Sequence, residues 1–152
     1  MPTAFRLVKA HHARSAFSGE GARVAGGRWN RPGDAVVYTS ASLALAAFET
    51  FVHLGEDAVH LRFVYFNAEI PDTLAIQRCR KPPPRWRAEP PEEEAMRYGS
   101  RWLRGARTAV LEVPSAIVPS ERNYLLNPLY PEFRRIRISR AMPFLFDPRM
   151  WK

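Results

Sequence analysis

Proline is the feature that most constrains the fold of this chain. There are 14 prolines among 152 residues, nearly twice the average share of about 5%. A proline inside a helix removes a backbone hydrogen bond and clashes with the preceding turn, so this density favours short elements over long helices. The tract KPPPRWRAEPPEEE (81–94) cannot be regular at its prolines, yet it is too short to link two domains. We therefore expect one domain, residues 1–152.

Short apolar runs between the prolines predict strands, and two segments predict helices. Ser40 or Ser42 can cap a helix that runs to about Leu54 and is ended by Gly55. A second helix is expected over roughly 92–104, and loops over 9–27 and 118–128. The predicted strands are 4–8, 35–40, 60–70, 108–113 and 134–139, with FLFDPRM near the end extending the sheet. This pattern predicts an α+β fold with a central, mostly antiparallel sheet and few helices.

The net charge of the chain limits the classes of binding partner but does not identify one of them. The net charge is +8, and the single cysteine leaves no intramolecular disulfide and no cysteine cluster for zinc. No apolar run is long enough to span a bilayer and no secretory signal is evident, so we expect a cytoplasmic location. An arginine-rich surface suits nucleic acid, a phosphate-rich small molecule or an acidic protein, and it also serves simply as a solubilising surface.

The predicted helix SASLALAAFETFVHL (40–54) contains a single acid, Glu49. Because the helix is apolar on almost every face, we expect it to be largely buried. Burying a carboxylate is costly unless it is paired or hydrogen-bonded. Glu49 is therefore a structural acid bonded to an arginine, an acid that reaches solvent, or a functional carboxylate.

The segment GGRWNRPGDAVVYTS (26–40) supplies two further candidates. Two glycines before Arg28 allow close approach of a ligand, and the arginine fork suits a pyrophosphate. The ring of Tyr38 could stack on a flat heterocycle while its hydroxyl stays in water. The alternative is a glycine turn, a surface arginine and a core tyrosine.

The loop VPSERNYLLNP (118–128) gathers Ser120, Asn123 and Asn127. Such residues often bond their own backbone in turns, but they also suit a polar pocket. The adjacent His11 and His12 have no carboxylate at metal-ligand spacing, so no metal site is expected. The four tryptophans fit core or rim positions better than base-stacking platforms.

Together these stretches resemble the RES domain, named for an arginine, a glutamate and a serine. The matching residues are Arg28 in GGRWN, Glu49 in LALAAFET and Ser120 in VPSERNYLLNP. The resemblance implies an ADP-ribosyltransferase-like fold and the toxin of a bacterial toxin–antitoxin pair. It implies that NAD is consumed by glycohydrolysis or phosphorolysis, and that the pocket is covered by a Xre-like helix-turn-helix antitoxin.

Under this resemblance, NAD is a substrate and no cofactor or metal is needed. Glu49 stabilises the ribosyl cation, Arg28 holds the pyrophosphate and Tyr38 orients the nicotinamide, while Ser120 and Asn123 fix a ribose or phosphate. Transfer of ADP-ribose to a protein is the alternative with the same residues. A basic RNA-binding or ribonuclease toxin is a second alternative, although no nucleic-acid motif is present. We expect neither direct nucleic-acid binding nor membrane association.

Overall fold

Runs rich in β-branched and aromatic residues form the strands, as their propensity favours. The computed structural model describes residues 1–152. Its eight strands are β1 (Thr3–Lys9), β2 (Val37–Ser40), β3 (Phe63–Glu69), β4 (Ile76–Arg78), β5 (Val110–Pro114), β6 (Arg122–Leu126), β7 (Arg137–Ile138) and β8 (Met142–Phe144).

All eight strands belong to one sheet. The order is β4-β5-β6-β2-β1-β3-β7, and β8 also pairs with β3. Every pairing is antiparallel except that of β4 with β5. The predicted α+β fold with a mostly antiparallel sheet is therefore confirmed.

Three α-helices accompany the sheet: α1 (Glu20–Ala25), α2 (Leu43–Phe51) and α3 (Glu93–Gly105). Short 3-10 helices occupy Ala10–Ser15, Glu56–His60, Pro131–Arg135 and Pro148–Trp151. Of the two predicted caps of α2, Ser40 and Ser42, the structure uses Ser42, whose hydroxyl accepts from the amide of Leu45 at 3.0 Å. None of the helices is both long and apolar enough to cross a membrane.

The central strands are buried on both faces, and the buried side chains form three clusters. One of them joins α2 to β1 and β3 and contains Leu7, Ala46, Ala58, Phe63 and Phe146. Because side chains alternate along a strand, Val37 and Leu126 lie opposite each other on one face, while Tyr38 and Leu125 do so on the other. The first face packs with Ala4, Ala68, Ile70 and Ile136. The second packs with α3 and with Trp29, Trp86, Ala95 and Trp102. The second face also carries the candidate site.

Contact between α3 and the segment 26–31 depends on a glycine. A side-chain carbon on Gly99 would lie 1.7 Å from the carbonyl oxygen of Trp29. The Ser100 hydroxyl accepts from the amide of Arg31 at 3.1 Å, which fixes the same approach from the next residue. The YGS sequence of α3 therefore holds the backbone that precedes Tyr38.

Two expectations about irregular segments were wrong. The predicted loop 118–128 contains β6, which lies between β5 and β2 and pairs with both. Pairing on two sides overrides the turn preference of its asparagine. The predicted loop 9–27 contains α1 and a 3-10 helix.

Two regular elements are also shorter than expected. The predicted strand 134–139 is reduced to Arg137–Ile138, because the 3-10 helix that starts at Pro131 occupies the preceding residues. Helix α2 ends at Phe51 rather than near Leu54, and it is not largely buried. Only Leu45 and Ala46 in it are buried, because α2 packs on the sheet along one side and leaves the opposite side in solvent.

Candidate functional site

Glu49 lies on α2 and is bound by two side chains of the sheet. Its Oε2 accepts from the Ser115 hydroxyl at 2.6 Å and from the Asn123 amide nitrogen at 2.6 Å. The other carboxylate oxygen, Oε1, accepts no hydrogen bond from the protein. Both donors are neutral, so the arginine partner considered for Glu49 is absent. Hydrogen bonds to an ionised group are among the stronger ones in proteins, so they hold the carboxylate while leaving one oxygen free.

Ser115 is fully buried directly after β5, and its own surroundings orient its hydroxyl. Its Oγ accepts from the backbone amides of Ile117 and Val118, each at 3.1 Å. A hydroxyl has two acceptor lone pairs and one proton. Because both lone pairs are engaged, the proton is directed at Glu49.

Asn123 is fixed in the same way from β2. It lies opposite Ser40 in the pairing of β2 with β6. The Ser40 hydroxyl donates to the Asn123 Oδ1 at 2.7 Å. This bond directs the amide nitrogen of Asn123 toward Glu49, so three neutral side chains from three strands or strand ends position one carboxylate.

The carboxylate lines a narrow cleft of about 70 Å³. Its lining includes both apolar side chains and members of the polar network. The lining residues are Phe5, Leu7, Tyr38, Thr39, Ser40, Ala46, Glu49 and Asn123. Two predicted site residues, Tyr38 and Asn123, thus share a cleft with Glu49.

The predicted water-exposed hydroxyl of Tyr38 was wrong, because the loop before β2 folds over it. The hydroxyl accepts from the amide of Trp29 at 3.0 Å and donates to Oδ1 of Asn30 at 2.6 Å. Burial raises the pKa of Tyr38, and this outweighs the opposing effects of the Trp29 hydrogen bond and the charge of Arg28. Only the ring of Tyr38 is available to the cleft.

Close approach of the loop to Tyr38 requires a glycine. A side-chain carbon at Gly27 would lie 2.7 Å from the Tyr38 hydroxyl oxygen and 3.0 Å from Oδ1 of Asn30. Gly27 therefore serves the packing of the loop on Tyr38, and Gly26 takes a positive φ of 73° beside Pro32, whereas the sequence suggested that the pair allows the approach of a ligand.

Arg6, which the sequence did not single out, binds the backbone of Tyr38. Strands β1 and β2 pair only at Phe5 and Ser40. Beyond this point Arg6 bridges the strands: its Nη1 donates to the Tyr38 carbonyl at 3.1 Å and its Nε to the Ala16 carbonyl at 2.8 Å. Burial lowers the pKa of Arg6 to about 10, so the side chain remains a cation at neutral pH.

Arg28 is near enough to Tyr38 for its charge to act on the tyrosine hydroxyl, but it does not line the Glu49 cleft. Its Nη1 donates to the carbonyls of Trp86 and Ala88 at 2.8 and 2.7 Å. Its Nη2 lies 2.9 Å from the carboxylate of Glu89. In this structure the proline-rich segment (81–94) occupies the arginine fork.

Ser120 is not brought to the site. It is exposed in the turn before β6 and makes no hydrogen bond to Glu49. The serine on the carboxylate is Ser115, five residues earlier. The sequence places Ser115 two residues after the predicted strand TAVLEV (108–113), at the end of a buried strand, and this position was the available signal.

A larger hollow of about 310 Å³ lies at the opposite ends of β2 and β6. It contains an ion pair between Asp34 and Arg104, whose charged atoms are 3.7 Å apart. It lacks the Glu49 network, and Asn127 is the one candidate residue from the sequence that lines it. No group of three or more His, Cys, Asp or Glu residues could hold a metal ion.

A family model now relates this geometry to known proteins. The model of the RES domain matches residues 3–147. The chain belongs to the RES domain family. The match includes Glu49, Ser115 and Asn123, together with Arg28 and Tyr38.

Curated RES relatives cover nearly the whole chain. A protein of Sphingobium sp. (strain YBL2), named "Prs ADP-ribosylating toxin", is 43% identical over 138 residues, which are 88% of this chain and 86% of that protein. A "Toxin Res" of Yersinia enterocolitica is 36% identical over 96% of this chain and 97% of its own length. Another of Photorhabdus laumondii is 36% identical over 97% and 96%. These matches support the predicted class, a toxin of the RES family.

Proposed function

We propose that this chain cleaves the nicotinamide–ribose bond of NAD and acts as the toxin of a toxin–antitoxin pair. The observation that carries the proposal is the Glu49 carboxylate, held by Ser115 and Asn123 with one oxygen free in a cleft beside the ring of Tyr38. A fixed anion next to a flat aromatic ring suits a reaction that develops positive charge on a sugar.

The chemistry follows from the charge that cleavage creates. As the bond between C1 of the ribose and the nicotinamide nitrogen breaks, its electron pair leaves with nicotinamide, which becomes neutral. The ribose becomes an oxocarbenium-like cation, as in glycoside cleavage. Glu49 stabilises this cation through its free oxygen. Water then attacks C1 and releases a proton to solvent, or phosphate attacks instead.

The other residues position the substrate. The ring of Tyr38 packs against the nicotinamide, while its buried hydroxyl takes no part in proton transfer. Arg28 binds the pyrophosphate, and Asn123 reaches both the carboxylate and the ribose edge. Ser115 takes the role that the sequence suggested for Ser120, because it is the serine in contact with Glu49.

The decisive variant is Glu49→Gln. The carbonyl oxygen of glutamine can accept from Ser115 and Asn123 as Oε2 does now, so the fold should persist while the charge disappears. Loss of one electrostatic stabiliser costs about 10²–10³-fold in turnover. Turnover is followed by separating nicotinamide from NAD, with the circular dichroism spectrum as the check on folding. The matched control is Glu56→Gln, an exposed acid just beyond α2, which should leave turnover unchanged. Normal turnover in folded Glu49→Gln refutes the assignment.

The same assay separates the possible products. Free ADP-ribose indicates hydrolysis, and phosphorylated ADP-ribose formed only with phosphate present indicates phosphorolysis. A second candidate function, transfer of ADP-ribose to a protein, is favoured by the name of the Sphingobium relative, "Prs ADP-ribosylating toxin". To identify this activity, the assay uses NAD that is labelled in its ADP-ribose part together with purified Prs, the protein in that relative's name. Transfer of the label to Prs shows the transfer reaction. Degradation of RNA at constant NAD would replace all three with a ribonuclease.

A partner is part of this proposal, because unrestrained NAD cleavage harms the cell that makes the enzyme. The expected partner is a Xre-like helix-turn-helix antitoxin that covers the cleft. Beside Glu49, Phe48 of α2 and Val52, the residue that follows α2, are exposed, which gives a partner apolar surface next to the carboxylate. Adding the helix-turn-helix protein encoded by the adjacent gene should stop NAD turnover. Full turnover in a stable complex of the two proteins excludes occlusion.

A further inference from the structure

The arginine proposed to bind phosphates already holds three acceptors of its own chain. Two are the carbonyls of Trp86 and Ala88, both on Nη1. The third is the carboxylate of Glu89, on Nη2. The Arg28 side chain is only 18% exposed, whereas that of Glu89 is 70% exposed. The carbonyl bonds are thus the sheltered part of the contact and the carboxylate is its accessible part.

A second tether holds the same segment close to the Glu49 network. The Nε of Arg87 donates to the carbonyl of Ala116 at 3.0 Å, one residue beyond Ser115. The ring of Trp86 stacks on Trp29, with centroids 6.1 Å apart and an interplanar angle of 29°. Residues 86–89 therefore run between Arg28 and the end of β5, fixed at both sides, and Glu89 stands at their exposed end.

From this arrangement we propose that Glu89 is a competing anion of the Arg28 site, which sets how tightly phosphate-bearing ligands bind there. Its carboxylate occupies the guanidinium edge that a pyrophosphate needs, so a ligand binds there only by displacing it. The inference rests on the proposed function for the identity of the natural ligand, which is a dinucleotide. The anion site itself is argued from Arg28 and its contacts alone.

The exchange affects only ligands that bind Arg28 through an anionic group. The Trp86 and Ala88 carbonyls keep the guanidinium oriented when Glu89 leaves, so the Nε and Nη2 edge stays ready for a bidentate oxyanion. A pyrophosphate replaces one carboxylate with a group of higher charge. A nicotinamide nucleoside without phosphates has no anionic group that can bind Arg28, so Glu89 stays in place. Glu89 therefore lowers the affinity for phosphate-bearing ligands and leaves phosphate-free ones unaffected.

The test uses Glu89→Gln and inorganic pyrophosphate as the probe. Exposed ion pairs contribute little, so removing the competitor should tighten pyrophosphate binding by about three- to fivefold in titration calorimetry. The KM for NAD should fall by a similar factor with kcat unchanged, and nicotinamide riboside should be used no better than before. The matched control is Glu92→Gln, which removes a carboxylate of the same segment that pairs with Arg85 at 2.7 Å.

The outcomes separate this inference from the proposed function. Unchanged or weaker pyrophosphate binding in Glu89→Gln, with NAD still cleaved, overturns the role of Glu89 alone. An equal gain in Glu92→Gln also overturns it, because the effect is then one of general charge. Arg28→Met should abolish pyrophosphate binding both in the natural protein and in the Glu89→Gln variant. Pyrophosphate binding that persists without Arg28 overturns the proposed anion site. If Glu89→Gln binds pyrophosphate more tightly while no variant cleaves NAD, the proposed function fails and the anion site stands.

Discussion

Replacing Asn123 by aspartate changes one group at the centre of the candidate site. The amide nitrogen of Asn123 now donates to Glu49 across 2.6 Å. Aspartate has nearly the same shape, so its second oxygen takes the place of that nitrogen. Two carboxyl groups then meet at hydrogen-bond distance, and Ser40 still donates to the first oxygen of residue 123, as it does to Oδ1 now.

The cost of ionising both carboxyls can be worked from their separation. Two unit charges with centres about 4 Å apart repel by about 4 kcal/mol at an effective dielectric constant of 20. Since 1.36 kcal/mol corresponds to one pH unit, the new carboxyl should keep its proton until roughly three pH units above the ordinary value of about 3.9. While protonated it donates the hydrogen bond that asparagine donates.

The expected result is stability that depends on pH with a defined sign. The pKa of the new group is raised by folding, so its contribution is complete below about pH 4 and is lost as the pH rises toward about 7. Relative to the natural protein, the free energy of unfolding should fall by up to about 4 kcal/mol across that interval. Urea unfolding at intervals from pH 4.5 to 8 measures this loss, and carbon-13 labelling of the carboxyls gives the titration directly.

The comparison variant is Asn123→Ala, which removes the hydrogen bond to Glu49 without adding a charge. It should lower stability by about 1.5–3 kcal/mol, the range for a hydrogen bond to a charged group, with little change across the same pH interval. If the aspartate variant shows the same pH dependence as the alanine variant, Asn123 does not face an ionised carboxylate and the reasoning about the Glu49 network is refuted.

Two further predictions concern packing beside the site. Gly99→Ala should destabilise the protein by at least about 3 kcal/mol in thermal unfolding, because the added carbon meets the Trp29 carbonyl. The control is Gly105→Ala, which has no atom within 4 Å of the added carbon and should be neutral or slightly stabilising. Equal effects of the two substitutions contradict the packing of α3. Because folding raises the pKa of Tyr38, its contribution to stability is complete below about pH 10, the ordinary tyrosine value, and is lost as the pH rises above it. In an absorbance titration at about 295 nm, the change that is missing from Tyr38→Phe should be the one at the highest pH. Loss of an absorbance change near the ordinary tyrosine pKa instead contradicts the buried hydroxyl.

Local patterns in the sequence were sufficient for most of the fold. Strands β1, β2, β3 and β5 and helix α3 lie where apolar and β-branched runs predicted them. The cap at Ser42 was also predictable, because a cap depends on a few neighbouring residues. These elements share a signal that is contained within about ten residues of chain.

Strand β6 could not be predicted in this way. Its sequence RNYLL stands among prolines and asparagines that favour turns, and its stability comes from pairing with β5 and β2, which are distant in the chain. The same limitation applies to the site. Glu49 was identified because it is the only acid in an apolar helix, whereas its contact with Ser115 spans 66 residues. Ser120 was chosen from its match to a family motif, and Ser115 was not considered, because such a match does not tell which serine faces the carboxylate.

The two charged groups of the proposed site, Glu49 and Arg28, are preorganised for substrate to different degrees. The Glu49 carboxylate is held by neutral donors that need not move, which is the arrangement that stabilises developing positive charge without reorganisation. The Arg28 guanidinium is oriented by carbonyls, but its outer edge is taken by Glu89. Substrate binding must therefore include one exchange of anions at Arg28 and none at Glu49. Since the exchange involves an exposed carboxylate and the chemistry an oriented one, substitutions at Glu89 should alter KM and those at Glu49 kcat.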